Sequence, residues 1–214
     1  MEWTPEEEAV LSELSSPERI QAFLDATPYS TDPVYRCPRS VLRDRRAHCF
    51  DGALLAAAAL RRRGEPALIV DLRAVRDDDH VITIFRRRGR VGAVAKSNVV
   101  GLRYREPIYR DLRELVMSYF EFYYNLDGEK TLRSYSIPLD LKQYDRLSWT
   151  TVDGVMDAIA KRLDARRHVP LLTPAMIRGL SRMDQRTFDA GLAGANNDGL
   201  YGYDPATRAK AQRA

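Results

Sequence analysis

The stretch AHCFDGALLAAAALRRRGEP, residues 47–66, decides the fold. From Cys49 to about Arg63 its pattern is helical, with Leu54, Leu55 and Leu60 large and Gly52, Ala53 and Ala56 to Ala59 small. A helix that is apolar all round must be surrounded by protein, and its small side chains let neighbouring elements approach closely. Gly64 is the natural C-cap and Pro66 prevents continuation. The stretch predicts a central buried helix with a cysteine in its first turn. A free thiol has a pKa near about 8.5, which leaves only a few per cent ionised at neutral pH. Unpaired amide groups and the positive end of the helix dipole favour the anion at that position. Cys49 is therefore a candidate nucleophile, and its backbone N–H a candidate donor to an oxyanion.

The flanks read outward from this helix. Upstream, Thr4, Pro5 and Glu6 to Glu8 predict a helix over residues 4–15, and Ser16 with Pro17 opens a second one carrying Ile20, Phe23 and Leu24. A loop with Pro28, Pro33 and Pro38 leads to SVLRDRRA, a short helix or turn. Downstream, ALIVDLRAV is an apolar run of strand length, and HVITIF alternates, with His80, Ile82 and Ile84 on one face. RRRGR turns around Gly89 and VGAVAKSN returns as the paired strand. EPIYRDLRELVMSYFEFYYN predicts a helix opened by Pro107, with Leu112, Leu115 and Tyr119 buried; VDGVMDAIAKRLDAR and TPAMIRGLSRM predict two more. GEKTLRSYSIPLDL is a loop or short strand. The fold class expected is α+β, a central buried helix on a small antiparallel sheet with flanking helices. One domain is expected over 1–190, with its core at about 35–145 and a helical extension at 150–190, followed by a flexible tail over 191–214.

Size and composition suit one sizeable core: 214 residues, 44% hydrophobic and 30% charged. The net charge of +4 is modest, and acidic residues share the segments that hold the arginines. A solvated surface is the leading reading of the runs Arg61–Arg63 and Arg86–Arg88, and nucleic-acid binding a minority one. The chain opens acidic and has no run of about 18 apolar residues, so a cytoplasmic protein without membrane attachment is expected. Two cysteines and three scattered histidines make no metal-ligand pattern, and no cofactor is implied. Cys37, ahead of Pro38, reads as an incidental thiol.

A cysteine nucleophile needs a base that later protonates the leaving group. His48 adjoins Cys49 and points elsewhere, and His168 in ARRHVP reads as a residue at a helix end. His80, opening a strand on the face of Ile82 and Ile84 where a helix can pack, is the candidate. With Arg88-Gly89 as a two-residue turn, His80 stands opposite residue 97. The third, orienting group is then Asn98 after a small register change, with Ser97 as runner-up and Asp78 or Asp79 assisting from the preceding loop.

Cys49, the segment L60-RRRGEPA-67 and His80 at a strand start resemble the transglutaminase-like core of the papain-like fold, over roughly residues 35–100. The segment from Ala95 to Leu141 is similar to a group of bacterial transglutaminase-like proteins. The resemblance implies a Cys-His-Asp site; here the acidic position falls near Ala95 or Lys96, which leaves Asn98 as the amide in its place. It implies acyl transfer through a thioester, by hydrolysis or transamidation of an amide or isopeptide bond in a peptide, protein or small amide. A catalytically inactive scaffold that binds a peptide or protein is the alternative. The Arg-rich surroundings suggest an acidic or carboxylate-bearing substrate.

Overall fold

The computed structural model describes residues 3–204. Helices α1 (Pro5–Glu13), α2 (Pro17–Ala26), α3 (Pro38–Asp44) and α4 (Cys49–Arg62) come first. Strands β1 (Leu68–Ala74), β2 (His80–Arg87), β3 (Arg90–Val94) and β4 (Arg105–Tyr109) follow, then α5 (Leu112–Met117), β5 (Leu132–Ser136), β6 (Leu139–Asp140), α6 (Met156–Asp164), β7 (His168–Pro170), α7 (Pro174–Arg178) and α8 (Gln185–Gly191). The architecture is α+β. One antiparallel sheet runs β4-β3-β2-β1-β5-β7, with β6 extending the β5 side of β1. No helix among the described residues is long and apolar enough to cross a membrane.

Local chemistry sets the first two helices. Thr4 accepts the Glu7 amide while the Glu7 carboxylate accepts the Thr4 amide, a reciprocal cap, and Ser16 caps α2 ahead of Pro17. The chain leaves α4 through Gly64, at φ 83°, where the Glu65 amide closes on the Leu60 carbonyl at 3.2 Å. Arg88 and Gly89 both take positive φ, and the two-residue turn pairs Arg87 with Arg90 and Thr83 with Val94.

Every residue of α4 from Phe50 to Leu60 is buried. One side, Phe50, Leu54 and Ala57, packs on Ile69, Val81, Trp149 and Ile159; another, Leu55, Ala56 and Leu60, packs on Leu11, Ile20, Leu24, Val41 and Phe85. The helix crosses β2 closely enough for the Thr83 hydroxyl to donate to the Ala53 carbonyl at 2.5 Å. The opposite face of the sheet, with Val70, Leu72, Ile82, Ile84 and Val91, is covered by Leu115, Val116, Tyr119, Phe120 and Tyr123.

Three expectations need correction. The helix expected from Pro107 is the edge strand β4, which tolerates a residue without an amide donor, and then a helix capped by Asp111 that gives way to a 3₁₀ turn at Phe120–Phe122. His168 does not end a helix but opens β7, beside β5. The segment from Gly191 does not begin a tail without structure: a 3₁₀ turn at Asn197–Gly199 is bonded to the body of the protein through Asn196. Residues 205–214 lie outside the described residues.

Gly52 marks the tightest approach to α4, since an added Cβ would stand 2.3 Å from Lys96 Cβ. Lys96 is itself buried, and its ammonium donates to the Leu24 and Thr27 carbonyls at the end of α2. Gly52→Ala is expected to lower stability by about 1–3 kcal/mol despite better helix propensity, because it overfills this contact. A thermal and urea unfolding comparison measures it, and an unchanged midpoint would refute the close approach.

Candidate active site

Helix α4 starts inside the protein, so its first amides are answered by protein groups. His48 Nδ1 accepts the Phe50 amide at 3.1 Å, and the fully buried Asp51 carboxylate accepts the His48 amide at 3.2 Å and the Arg36 amide at 2.9 Å. Cys49 follows directly, partly exposed and reduced. Its Sγ meets the chain on both sides of His80: it donates to the Asp79 carbonyl at 3.9 Å, and the Val81 amide favours its anion. Burial nevertheless pushes the thiol up to about 12, and the Asp51 and Asp78 charges push the same way. Desolvation and the two carboxylates thus push the thiol in the direction opposite to that of the helix-start amides.

His80 opens β2 opposite Leu72 of β1 and is 5% exposed. It shares the face of Ile82 and Ile84, as expected, but α4 packs on the other face, that of Val81, Thr83 and Phe85. The imidazole is held by the Leu102 backbone, with Nε2 at 2.9 Å from the carbonyl oxygen. A carbonyl only accepts, so Nε2 carries the proton and Nδ1 keeps its lone pair. Nδ1 has no hydrogen-bond partner among the described residues. Burial pulls His80 down to about 4, with the Arg105 charge adding and the Leu102 bond opposing. Cys49 and His80 line one small cavity of about 60 Å³, together with Tyr29, Asp79, Ser97 and Asn98. They share that space without a hydrogen bond between them.

None of the expected third members orients the imidazole. Asn98 Nδ2 donates to the Asn196 carbonyl and Asn98 Oδ1 accepts the Asn196 amide, both at 2.8 Å. Ser97 Oγ accepts the Val99 amide at 3.0 Å, and Asp79 Oδ1 accepts the Ala74 amide at 2.7 Å. The register that sets residue 97 opposite His80 is correct over the paired part of the hairpin, but β3 stops at Val94. Gln21 of α2 binds both the amide and the carbonyl of Ala95 at 3.0 Å and draws the chain out of the sheet. The orienting group is a main-chain carbonyl, for which a sequence carries no residue signal.

On the α4 side, Cys49 also borders a wider cleft of about 280 Å³ with walls from Tyr29, Tyr35, Phe50 and Leu163. Its ionisable lining is His48 with Asp71, Asp78, Asp79 and Asp164, so the cleft is acidic. This overturns the expectation of an Arg-rich site for an acidic substrate. Arg61 and Arg62 are instead paired with Asp145 and Glu8 on the outer face of α4. Asp71, pushed up to about 6 mainly by burial and then by Asp79, lies 2.8 Å from His168 Nε2, while His168 Nδ1 donates to the Arg166 carbonyl at 2.8 Å. Sequence reading missed this buried pair because it set His168 at a helix end. No group of three or more His, Cys, Asp or Glu side chains among the described residues could hold a metal ion.

His80 makes the fold sensitive to acid. Its folded pKa of about 4 lies below the ordinary 6.5, so as pH falls through that window the unfolded chain takes up the proton first. Stability is expected to fall between those two values, by up to about 3 kcal/mol, and the fall to be absent from His80→Gln, which stays neutral. Urea unfolding at a series of pH values checks this, and identical slopes for the two proteins would refute the burial of a neutral imidazole. No family model matches the chain, nor does any curated protein.

Proposed function

We propose that this chain is a transglutaminase-like protein of the papain-like class, acting by cysteine-dependent acyl transfer on an amide or isopeptide bond. Cys49 is the nucleophile, His80 the general base and the Leu102 carbonyl the orienting group. The observation that carries the reading is the opening of a first-turn cysteine and a fixed, neutral imidazole with a free Nδ1 into one cavity. Two free thiols, one of them buried Cys37, suit a reducing cytoplasm.

In this scheme the thiol proton leaves the Asp79 carbonyl and passes to Nδ1, directly or through one water, as sulfur attacks the substrate carbonyl. The tetrahedral oxyanion takes a hydrogen bond from the Cys49 amide at the start of α4. The imidazolium returns its proton to the leaving amine, a thioester remains on Cys49, and water or a second amine resolves it. The Leu102 carbonyl holds Nε2–H throughout, which fixes the tautomer that presents a lone pair to the cysteine. Carboxylates in the wider cleft disfavour an acidic substrate and favour a neutral or cationic one.

One observation favours the second reading, a non-catalytic peptide-binding module. Burial pushes the thiol up to about 12 and pulls the imidazole down to about 4, both directions opposing a thiolate–imidazolium pair. Alkylation by iodoacetamide separates the two. If His80 accepts the thiol proton, His80→Ala slows labelling of Cys49 about tenfold or more, whereas Ser97→Ala leaves it unchanged. Equal rates in the wild type and His80→Ala would leave the binding module. Incubation with p-nitrophenyl acetate should acetylate Cys49 and not the Cys49→Ser protein, as read by mass spectrometry.

The carboxylate rim gives a further expected outcome. Asp78→Asn removes one of the charges that oppose the Cys49 anion, so Cys49 alkylation at neutral pH should rise a few-fold. An unchanged or lower rate would show that Asp78 does not act on the sulfur.

A further inference from the structure

Beyond α8 the chain crosses the His80 side of Cys49. Tyr124 fixes its approach, donating from its hydroxyl toward the Thr187 and Phe188 carbonyls, each at 3.1 Å. Gly191 passes so close to that hydroxyl that an added Cβ would stand 1.9 Å from it. Asn98 then grips both main-chain polar groups of Asn196, and Asn196 Oδ1 accepts the Asp198 amide at 3.2 Å to start the 3₁₀ turn. Gly199 lies on Tyr29: a Cβ there would stand 2.9 Å from the ring and 3.1 Å from Asn98 Nδ2. Leu200 and Tyr201 complete the wall of the cavity that holds Cys49 and His80.

Two glycines with no room for a side chain, and an amide spent on both polar groups of one residue, are a fitted contact. The space left behind it is small, about 60 Å³. A larger side chain would need Leu200 and Tyr201 to move before it could sit beside His80.

We propose that Asn196–Tyr201 is an autoinhibitory strap: the chain's own peptide occupies the His80 side of the acyl-transfer site and must leave before a substrate enters. The proposal rests on the acyl-transfer reading of Cys49 and His80. It also gives the ligand class for that side, a peptide that turns on small polar residues and sets a bulky apolar side chain against the mouth of the cavity. Departure of the strap admits water to both groups, which relieves the desolvation that holds the thiol proton on and the imidazole proton off.

Two full-length variants and one shortened chain test it. Asn98→Ala removes the grip on Asn196, Gly199→Val forces the turn off Tyr29, and a chain ending at Ala195 lacks the strap. Iodoacetamide labelling of Cys49, with Cys37 as the internal reference, should be at least tenfold faster in each than in the wild type. A synthetic peptide of residues 195–203, added to the shortened chain, should slow labelling again. Unchanged Cys49 labelling in both full-length variants, with unaltered circular dichroism, would overturn the strap whether or not the shortened chain folds. Faster labelling that is insensitive to an added His80→Ala substitution would instead keep the strap and remove the catalytic reading beneath it.

Discussion

A helix that begins inside a protein must have its first amides answered by protein groups, and everything around Cys49 depends on how α4 meets that demand. The answer is Asp51, fully buried, with one oxygen on the Arg36 amide and the other on the His48 amide. Arg36 reaches Asp32 and Asp44 as well and comes within 4.0 Å of Asp51, so the loop ahead of α4 and the start of the helix form one polar unit. The same carboxylate that makes the buried start possible places a negative charge beside the sulfur. Structural need and thiol chemistry therefore oppose each other at one residue.

The second opposition is between the thiol and the imidazole. Desolvation moves them apart, the acid toward holding its proton and the base toward refusing it. Water access, more than any single side chain, sets whether the pair can exchange a proton. The Leu102 carbonyl, not a side chain, orients the imidazole. A main-chain acceptor holds the tautomer without bringing a further charge into the cavity, and it frees Asn98 to bind Asn196.

What was legible in the sequence had a local cause. Thr4 and Ser16 caps, the Ala-rich helix with Gly64 at its end, and the Arg88-Gly89 turn with its register all depend on residues within a few positions, and each was readable. Cys49 and His80 border one cavity, but α4 packs on the face of β2 opposite the imidazole, which alternation along the strand did not reveal. The misreadings had distant causes. Pro107 fits a helix start as well as an edge strand, and only pairing with β3 decides between them. Asn98 lost its expected role because Gln21, 74 residues away, captures Ala95. His168 found Asp71 across 97 residues, and an acceptor on the main chain of Leu102 carries no residue identity at all.

The charge pattern shows why a global count misleads about a site. The chain carries a net +4, yet the arginines nearest α4 in sequence are spent in ion pairs on its outer surface. The loop that enters β2 puts Asp78 and Asp79 against the cleft and Asp77 against the smaller cavity, and burial raises all three. Carboxylates kept together in a partly dry space repel one another and any thiolate that forms among them. A positive group arriving there relieves both repulsions at once, so it would bind most strongly in the form of the site that carries the anion. By linkage, an occupant of that charge favours ionisation of Cys49, whereas an acidic one opposes it. The electrostatics of the cleft thus couple what is bound beside α4 to the state of the sulfur, independently of what lies over His80.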